Sequence, residues 1–169
     1  MAERPDRAGS AVELREVDAA NVRAVCELTL APGQEPYVAP AAFTIAEAAY
    51  EPEGMLRAIY PAGGGKPVGV LFVDLAAAPA SPLLVRLQID AAHQRRGYGA
   101  ATVAVLAEEL RERGRRELRT SYHRGALEPR DFYLGLGFEP TGEVEDGEPI
   151  LSLDLGYSGS SNARSASSR

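Results

Sequence analysis

The chain has 169 residues, of which 45% are hydrophobic, and its formal net charge at pH 7 is −6. This length and apolar content suit one domain with a sizeable core and leave no room for a second domain of normal size. The longest apolar runs, such as residues 68–73, are too short to span a bilayer, and the N-terminus lacks the apolar stretch of a secretory signal. The negative charge argues against nucleic-acid binding and suits attraction of a cationic substrate.

Cysteine and histidine usage indicates a protein of a reducing compartment. Cys26 is the single cysteine, so no internal disulfide can form. The two histidines, His93 and His123, lie far from Cys26 and from each other, which is not a metal-ligand spacing. We therefore expect a cytoplasmic protein with no bound metal and no membrane or nucleic-acid partner.

The two ends of the chain are predicted to be disordered, which leaves residues 12–155 as the folded domain. Residues 1–11 are polar without periodicity, and residues 156–169 consist mainly of Ser, Asn, Ala, Gly and Arg. Neither segment has enough apolar surface to bury to offset the entropy lost on ordering.

The first half of the domain is predicted to hold one strand, two helices and a hairpin. Alternation of apolar and charged residues predicts a strand over 12–17. Asp18 can cap a helix that runs to about residue 30, with Cys26 on its buried face. Thr44 and Glu47 have the spacing of a capping box that opens a short helix. Strands over 55–60 and 68–75 then flank a glycine-rich turn.

The second half is predicted to alternate strands and helices. An apolar strand over 83–89 leads through a glycine-bearing loop into a helix that ends at Gly114. A strand over 117–122 follows, and Pro129 is well placed at the first position of the next helix, which Gly137 terminates. Segments 141–144 and 149–155 complete a final hairpin. This order predicts a mixed α/β fold.

Residues 94–100, Gln-Arg-Arg-Gly-Tyr-Gly-Ala, join the apolar strand to the long helix. A helix N-terminus presents bare backbone N–H groups, and Gly97 and Gly99 let an anion approach them closely. Arg95 and Arg96 add fixed positive charge, so the stretch predicts a seat for a pyrophosphate. Its spacing matches neither the dinucleotide fingerprint nor a Walker loop, and by itself it equally predicts a tight strand-to-helix turn.

Two blocks carry a resemblance to a known superfamily. Residues 94–100 resemble the acetyl-CoA signature of the GNAT superfamily of N-acetyltransferases, and residues 131–138, Asp-Phe-Tyr-Leu-Gly-Leu-Gly-Phe, are similar to its Leu-Tyr-x-x-x-Gly-Phe block. Within the superfamily, residues 34–40 and 86–90 look like bacterial diamine and spermidine acetyltransferases.

The resemblance implies a single-domain α/β fold with a mixed, mostly antiparallel twisted sheet and helices on both faces. Strands four and five of that sheet are expected to splay apart around the cofactor. It also implies acetyl-CoA as co-substrate and transfer of the acetyl group to a primary amine of a small diamine or polyamine such as spermidine, by direct attack on the thioester. Homodimers are common in this superfamily, so one is possible here.

The resemblance assigns roles to individual residues. For the cofactor these are Leu87, Gln88, Ile89, Gln94, Arg95, Arg96, Gly97, Tyr98, Gly99 and Ala100. Tyr133 occupies the tyrosine of the second block and is expected to protonate the leaving thiolate, with Tyr122 as the alternative. Glu35, Tyr37 and Glu47 fall in the loop and helix that cover the amine end in these enzymes and are expected to bind the acceptor.

The general base stays open. In related polyamine acetyltransferases a glutamate on strand four can draw the amine proton through water, and Val85 occupies that place here. Asp90, Asp74, Glu47 and His123 are the alternatives.

The chain also departs from the family upstream of Tyr133. Family members often carry Asn-x-x-Ala there, at positions filled here by Ala126 and Pro129. Two other functions therefore stay open beside polyamine acetylation. One is acetylation of another small amine or of a protein N-terminus, and the other is acetyl-CoA binding without turnover.

Overall fold

Strands and helices follow one another in the predicted order. A computed structural model describes residues 11–77 and 81–156, so the predicted disordered ends lie outside the described residues except for Ala11 and Gly156. The elements are β1 (Val12–Glu16), α1 (Val22–Cys26), α2 (Ala41–Ala48), β2 (Gly54–Pro61), β3 (Gly69–Asp74), β4 (Leu83–Ile89), α3 (Tyr98–Glu112), β5 (Glu117–Ser121), α4 (Arg130–Gly135), β6 (Glu139–Glu145) and β7 (Glu148–Asp154), with a 3-10 turn at Ala91–His93.

The strands form one seven-stranded sheet in the order β1-β2-β3-β4-β5-β7-β6. Among the described strands every pairing is antiparallel except β4 with β5, which is parallel. That parallel pairing holds only at Leu83 with Arg119 and at Leu84 with Thr120. Beyond Leu84 the two strands separate, which confirms the predicted splay of strands four and five.

Each face of the sheet packs against helices. The apolar stripe of α3, with Val103, Leu106 and Leu110 buried, packs on one face together with Leu71 and Leu118. A smaller cluster on the other face joins the following residues of α1, α2, β2 and β3: Val25, Ala41, Ala58, Tyr60 and Val70. Alternating residues of β2 and β3 divide between the two clusters, as the pleat of a strand requires. The predicted fold class is thus confirmed.

An irregularity in β4 decides which of its side chains face which helices. Phe72 of β3 pairs with Arg86 whereas Val73 pairs with Leu84, so Val85 is an extra residue with no partner in β3. Such a bulge shifts the alternation of the strand by one residue. Arg86 consequently points to the α2 face, where it contacts Glu47 at 2.9 Å, while Leu87 packs with the α3 cluster.

The first helix is shorter than predicted. It ends at Cys26 rather than near residue 30, and Cys26 is exposed, so the prediction that this cysteine is buried was wrong. The cause is tertiary: the backbone N–H and hydroxyl of Thr29 both donate to Asp90 Oδ1, at 2.8 and 2.9 Å. The Thr29 carbonyl also accepts from Ala91 N–H. A helix that continued through Thr29 would break these bonds, so they end the helix before this residue.

The second helix begins four residues earlier than the capping-box pattern predicted. It starts at Ala41, after Pro40 in an extended conformation, and Thr44 lies buried inside it instead of at its cap. The Thr44 hydroxyl donates to the Pro40 carbonyl at 3.4 Å. Burial of Ala41 and Thr44 against the sheet places the helix start, and this overrides the local capping pattern.

Within the described ranges, no helix is both long and apolar enough to cross a membrane.

The close approach of β3 to β4 gives a stability prediction. A Cβ added at Gly69 would lie 2.4 Å from the Gln88 carbonyl oxygen and 2.9 Å from Ile89 Cδ1. We expect Gly69→Ala to lower the free energy of unfolding by about 1–3 kcal/mol, measured by urea titration. Gly63→Ala, in the β2–β3 turn with nothing within 4 Å of the added Cβ, is the control and should change it by less than about 0.5 kcal/mol. Equal effects of the two substitutions would contradict this account.

Candidate active site

A cavity of about 550 Å³ opens where β4 and β5 separate. This volume lies within the range of small-molecule sites. Its walls come from the α1–α2 loop (Gln34, Tyr37, Val38), from β4 (Val85, Arg86, Leu87, Ile89), from the β4–α3 loop and first turn of α3 (His93, Gln94, Arg95, Gly97, Tyr98, Gly99, Ala100), and from β5 and α4 (Ser121, Tyr122, Pro129, Phe132, Tyr133). Most of the residues assigned by resemblance are thus brought together around one cavity.

The open edge of β4 offers backbone hydrogen-bonding groups to the cavity. Asp90 N–H donates to the carbonyl of Val68, the residue just before β3, at 2.8 Å. Because the groups alternate along an antiparallel pair, those of Leu87 and Ile89 point away from β3, toward the gap. The Ile89 carbonyl accepts a hydrogen bond from Gln94 Nε2 at 3.0 Å. The groups of Leu87 face the gap with no strand beside them, which suits pairing with an extended amide-bearing ligand.

The N-terminus of α3 forms the other end of the cavity. Gly97 is its N-cap residue, with a left-handed φ of 82°, and offers no side chain to the first-turn N–H groups. Arg95 has a positive φ of 59° and lines the cavity. Arg96 is exposed beside it but is not part of the lining. Free N–H groups at the positive end of a 15-residue helix, with arginines beside them, suit binding of phosphate groups.

The Gln94 side chain serves as an anchor for the α1–α2 loop. Its Nε2 donates to Gln34 Oε1 at 2.9 Å, and Gln34 Nε2 donates back to Gln94 Oε1 at 3.3 Å. Gln34 Oε1 also accepts from Ala31 N–H. Any contact of Gln94 with a phosphate would therefore use its backbone rather than its amide.

Tyr133 lies in the wall next to the point where the strands separate. It is 6% exposed and packs edge-to-face against Phe132 and Phe138, with ring centroids 5.1 and 5.2 Å away. Burial raises the pKa of its phenol, and a hydrogen bond with the Thr120 hydroxyl offsets this only in part. A tyrosine in this state stays protonated at neutral pH and can donate a proton into the cavity.

The residues expected to bind an acceptor are only partly together. Tyr37 lines the cavity, and its hydroxyl accepts from Leu127 N–H at 3.2 Å, which links the α1–α2 loop to the β5–α4 loop. Glu35 is exposed and outside the lining. Glu47 is also outside it, because its carboxylate is bound by Arg86 at 2.9 Å.

Like Arg96, Gln88 belongs to the predicted cofactor residues but does not line the cavity. Its neighbours Leu87 and Ile89 line it, but Gln88 is 3% exposed. Both polar atoms of its side-chain amide lack a hydrogen-bond partner among the described residues. The bulge at Val85 explains this orientation, since it places Gln88 on the same face as Arg86.

The candidate general bases fall in different places. Asp74 accepts from the N–H groups of Ala76 and Ala77 in the turn after β3 and does not line the cavity. Burial opposes ionisation of Asp90, but hydrogen bonds from Thr29 and His93 outweigh it and hold the pKa of Asp90 below its usual range. Asp90 therefore stays ionised as a hydrogen-bond acceptor for these groups, which does not suit the role of a general base. His123, beyond the end of β5, contacts Glu148 at 3.1 Å.

The cavity is also lined by residues to which the sequence assigned no role of their own. Among them are Gln34, Val38, Arg86, Ser121 and Phe132. Ser121 is the last residue of β5, and polar residues where parallel strands end commonly meet at a ligand site, which is the signal that could have identified it. The resemblance over residues 86–90 includes Arg86 but gave no orientation for its side chain, because that orientation depends on the bulge.

The sequence matches no protein-family model and no curated protein. Its structure is nevertheless similar to those of solved acetyltransferases. An aminoglycoside 6'-N-acetyltransferase in complex with coenzyme A is 15% identical, matching 85% of this chain and 97% of its own, with a TM-score of 0.65. The ribosomal-protein-S18-alanine N-acetyltransferase of Escherichia coli is 17% identical, matching 89% and 97%, with a TM-score of 0.64. A Desulfovibrio desulfuricans protein assigned to the GNAT acetyltransferases is 17% identical, matching 86% and 100%, also with a TM-score of 0.64.

The match extends over almost the whole length of each of these proteins, so this chain spans a full unit of their fold. At such low identity the likeness concerns the fold and not the substrate. The chain therefore has the fold of the GNAT acetyltransferases.

Proposed function

We propose that this protein is an acetyl-CoA-dependent N-acetyltransferase that acts on a small primary amine. One observation carries the proposal: a single cavity joins the uncapped N-terminus of α3 to the buried phenol of Tyr133 along the open edge of β4. Such a cavity offers anion-binding groups at one end, peptide-like pairing along its side and a proton donor at the other end. Acetyl-CoA has a pyrophosphate, amide bonds and a thioester in that same order.

The cofactor end would bind coenzyme A through backbone and charge. Gly97 and the first turn of α3 would hold the pyrophosphate, with Arg95 and Arg96 beside it. Leu87 would pair with the pantetheine amides through its backbone groups. When bound, acetyl-CoA supplies a thioester carbonyl that an amine can attack.

The chemical step needs a proton donor for the leaving thiolate, and Tyr133 is suited to this role. An ordinary thiol has a pKa of about 8.5, so its anion accepts a proton readily from a positioned donor. Burial raises the pKa of Tyr133 and so keeps its proton in place over the working pH range. General acid catalysis of this kind contributes about 10²- to 10⁴-fold in rate.

The proposed acceptor class is a diamine or polyamine such as spermidine. The formal charge of −6 and the similarity of residues 34–40 to polyamine acetyltransferases support it. Glu35 and Glu47 would bind the ammonium groups remote from the reacting nitrogen. Arg86 already contacts the Glu47 carboxylate at 2.9 Å. Glu47 would therefore have to bind Arg86 and the acceptor ammonium with the same carboxylate.

Acceptor specificity can be measured by thiol release from acetyl-CoA with a panel of amines. We expect release with spermidine present and none without an acceptor. The double variant Glu35→Gln, Glu47→Gln should raise KM for spermidine more than for a monoamine, because only spermidine has remote ammonium groups for these carboxylates to bind. The rise should be modest, since an exposed carboxylate partner contributes about 0–1 kcal/mol. The matched control, Glu145→Gln with Asp146→Asn in the β6–β7 turn, should leave both KM values unchanged.

Three results of that panel would count against the proposal. Binding of acetyl-CoA without thiol release from any amine would make this a sensor. Release with another small amine or a peptide N-terminus but not with spermidine would replace the acceptor class. An effect of the turn variant alone would move the acceptor site to the β6–β7 hairpin.

The proposed pyrophosphate site can be tested with two separate valine substitutions, one at each end of α3. Gly97 and Gly114 flank α3, both have positive φ (82° and 75°), and neither has an atom within 4 Å of an added Cβ. Valine at either position should cost similar stability, about 1–2 kcal/mol for a left-handed backbone. By calorimetry, only Gly97→Val should weaken coenzyme A binding, by about 10- to 100-fold through lost charge-assisted hydrogen bonds. If both variants fold and bind coenzyme A with equal affinity, the pyrophosphate does not bind at Gly97.

The general-acid role can be tested by replacing each of two cavity tyrosines, one at a time, with phenylalanine. Tyr133 and Tyr122 both line the cavity and are both largely buried. We expect Tyr133→Phe to lower kcat by about 10²-fold with coenzyme A affinity and melting temperature little changed, since the lost interaction forms in the transition state. Tyr122→Phe should retain most of kcat. The reverse pattern would assign the proton donor to Tyr122.

A further inference from the structure

Acetyl transfer to an amine releases one net proton. The reaction converts R–NH₃⁺ and an acetyl thioester into the acetamide, a free thiol and H⁺. An alkylammonium with a pKa near 10.4 is deprotonated in only about one molecule in 2,500 at pH 7. The enzyme therefore needs a group that removes this proton, and Tyr133 cannot be that group because it is held protonated.

The described residues of the cavity wall contain no carboxylate that could accept this proton directly. Arg86 and Arg95 are permanently protonated. His93 lines the cavity at the α3 end, next to Gln94, and its Nδ1 contacts Asp90 Oδ2 at 3.0 Å. The acceptor must be reached through a hydroxyl near Tyr133, where the strands separate.

Ser121 is such a hydroxyl. It lines the cavity at the end of β5, and its Oγ donates to Glu148 Oε2 at 2.5 Å. Glu148 Oε1 lies 3.1 Å from His123 Nε2. The side chain of Glu148 is 23% exposed and that of His123 is 58% exposed, so exposure increases outward from the cavity to solvent.

The faces of the sheet separate this network from the proposed acid. Leu118 and Thr120 of β5 face α3, and the Thr120 hydroxyl is hydrogen-bonded with Tyr133. Alternation places Ser121 on the opposite face, the one that also carries α2 and Arg86. An amine entering from the α2 face would meet Ser121, while the thioester sulfur would meet Tyr133 across the gap between β4 and β5.

We infer that Ser121, Glu148 and His123 form a proton relay that deprotonates the acceptor amine, an inference that rests on the proposed acetyltransferase function. The Ser121 oxygen takes a proton from R–NH₃⁺ as its own proton passes to Glu148. Glu148 passes it to His123, whose exposed ring releases it to water. The amine lone pair then forms the C–N bond while the C–S bond breaks. Tyr133 gives its proton to the thiolate, and the second proton lost by the nitrogen replaces it, so that one net proton leaves through the relay.

Other charged groups lie near the relay in the chain or in the strand register, and Arg119 pairs with two of them, Glu143 and Glu145. Glu145 lies opposite Glu148 in the β6–β7 register and is 4.0 Å from Arg119, which also binds Glu143. Asp146 follows in the turn, and Arg124 follows His123 in the chain. Glu145 contacts neither Ser121 nor His123, which makes it the matched control for Glu148.

The test compares two acceptors of the same shape: an alkylamine used by the wild type, and its fluorinated analogue, whose nitrogen is mostly unprotonated at pH 7. Glu148→Gln and Ser121→Ala should each lower kcat/KM at pH 7 by about 10²-fold with the alkylamine. The loss should shrink to a few-fold with the fluorinated amine, which needs no base. It should also shrink as pH is raised toward the pKa of the alkylamine. His123→Gln should show the same pattern more weakly, and Glu145→Gln should show no loss.

A purely structural role would lower kcat/KM equally for the two acceptors, and that result would overturn the relay. Wild-type activity in Glu148→Gln and Ser121→Ala would also overturn it while leaving the proposed function intact. Failure of the proposed function looks different, since the wild type itself would then release no thiol with either amine.

Discussion

The separation of β4 from β5 after two residue pairs is the constraint on which the site depends. A strand that loses its neighbour in the middle of a sheet exposes backbone groups whose burial without partners is costly. The chain satisfies them one at a time. The Thr120 hydroxyl donates to the Leu84 carbonyl at 3.0 Å at the fork, and the Gln94 amide donates to the Ile89 carbonyl farther along. The groups of Leu87 lie between these two supports and face the cavity.

The α1–α2 loop connects the two sides of this opening. Gln34 bonds with Gln94 at the start of α3, and Tyr37 accepts from Leu127 in the β5–α4 loop. Thr29, just before the loop, is tied to Asp90 at the end of β4. One segment is thus attached to the cofactor end, to the strand edge and to the region before Tyr133.

The two faces of the sheet divide the charged groups of the site. On the α2 face lie the Arg86–Glu47 ion pair and the Ser121–Glu148–His123 network. On the α3 face lies the buried, neutral Tyr133. In the proposed mechanism the amine would lose its proton on the α2 face, and Tyr133 would protonate the thiolate on the α3 face. The gap between β4 and β5 would connect these two faces.

By itself the sequence determined the order of elements, the apolar stripe of α3, the glycine at its N-cap and the resemblance that pointed to Tyr133. These features depend on spacing within a dozen or so neighbouring residues, where helix and strand periodicity decides which side chains are buried. Only the tertiary structure decided the end of α1 at Cys26, the start of α2 at Ala41 and the burial of Gln88 on the face away from α3. It also brought Glu47 to Arg86 and Glu148 to Ser121. The physical reason is register: a bulge at Val85 and the pairing of β5 with β7 join residues far apart in the chain, and no local pattern specifies such contacts.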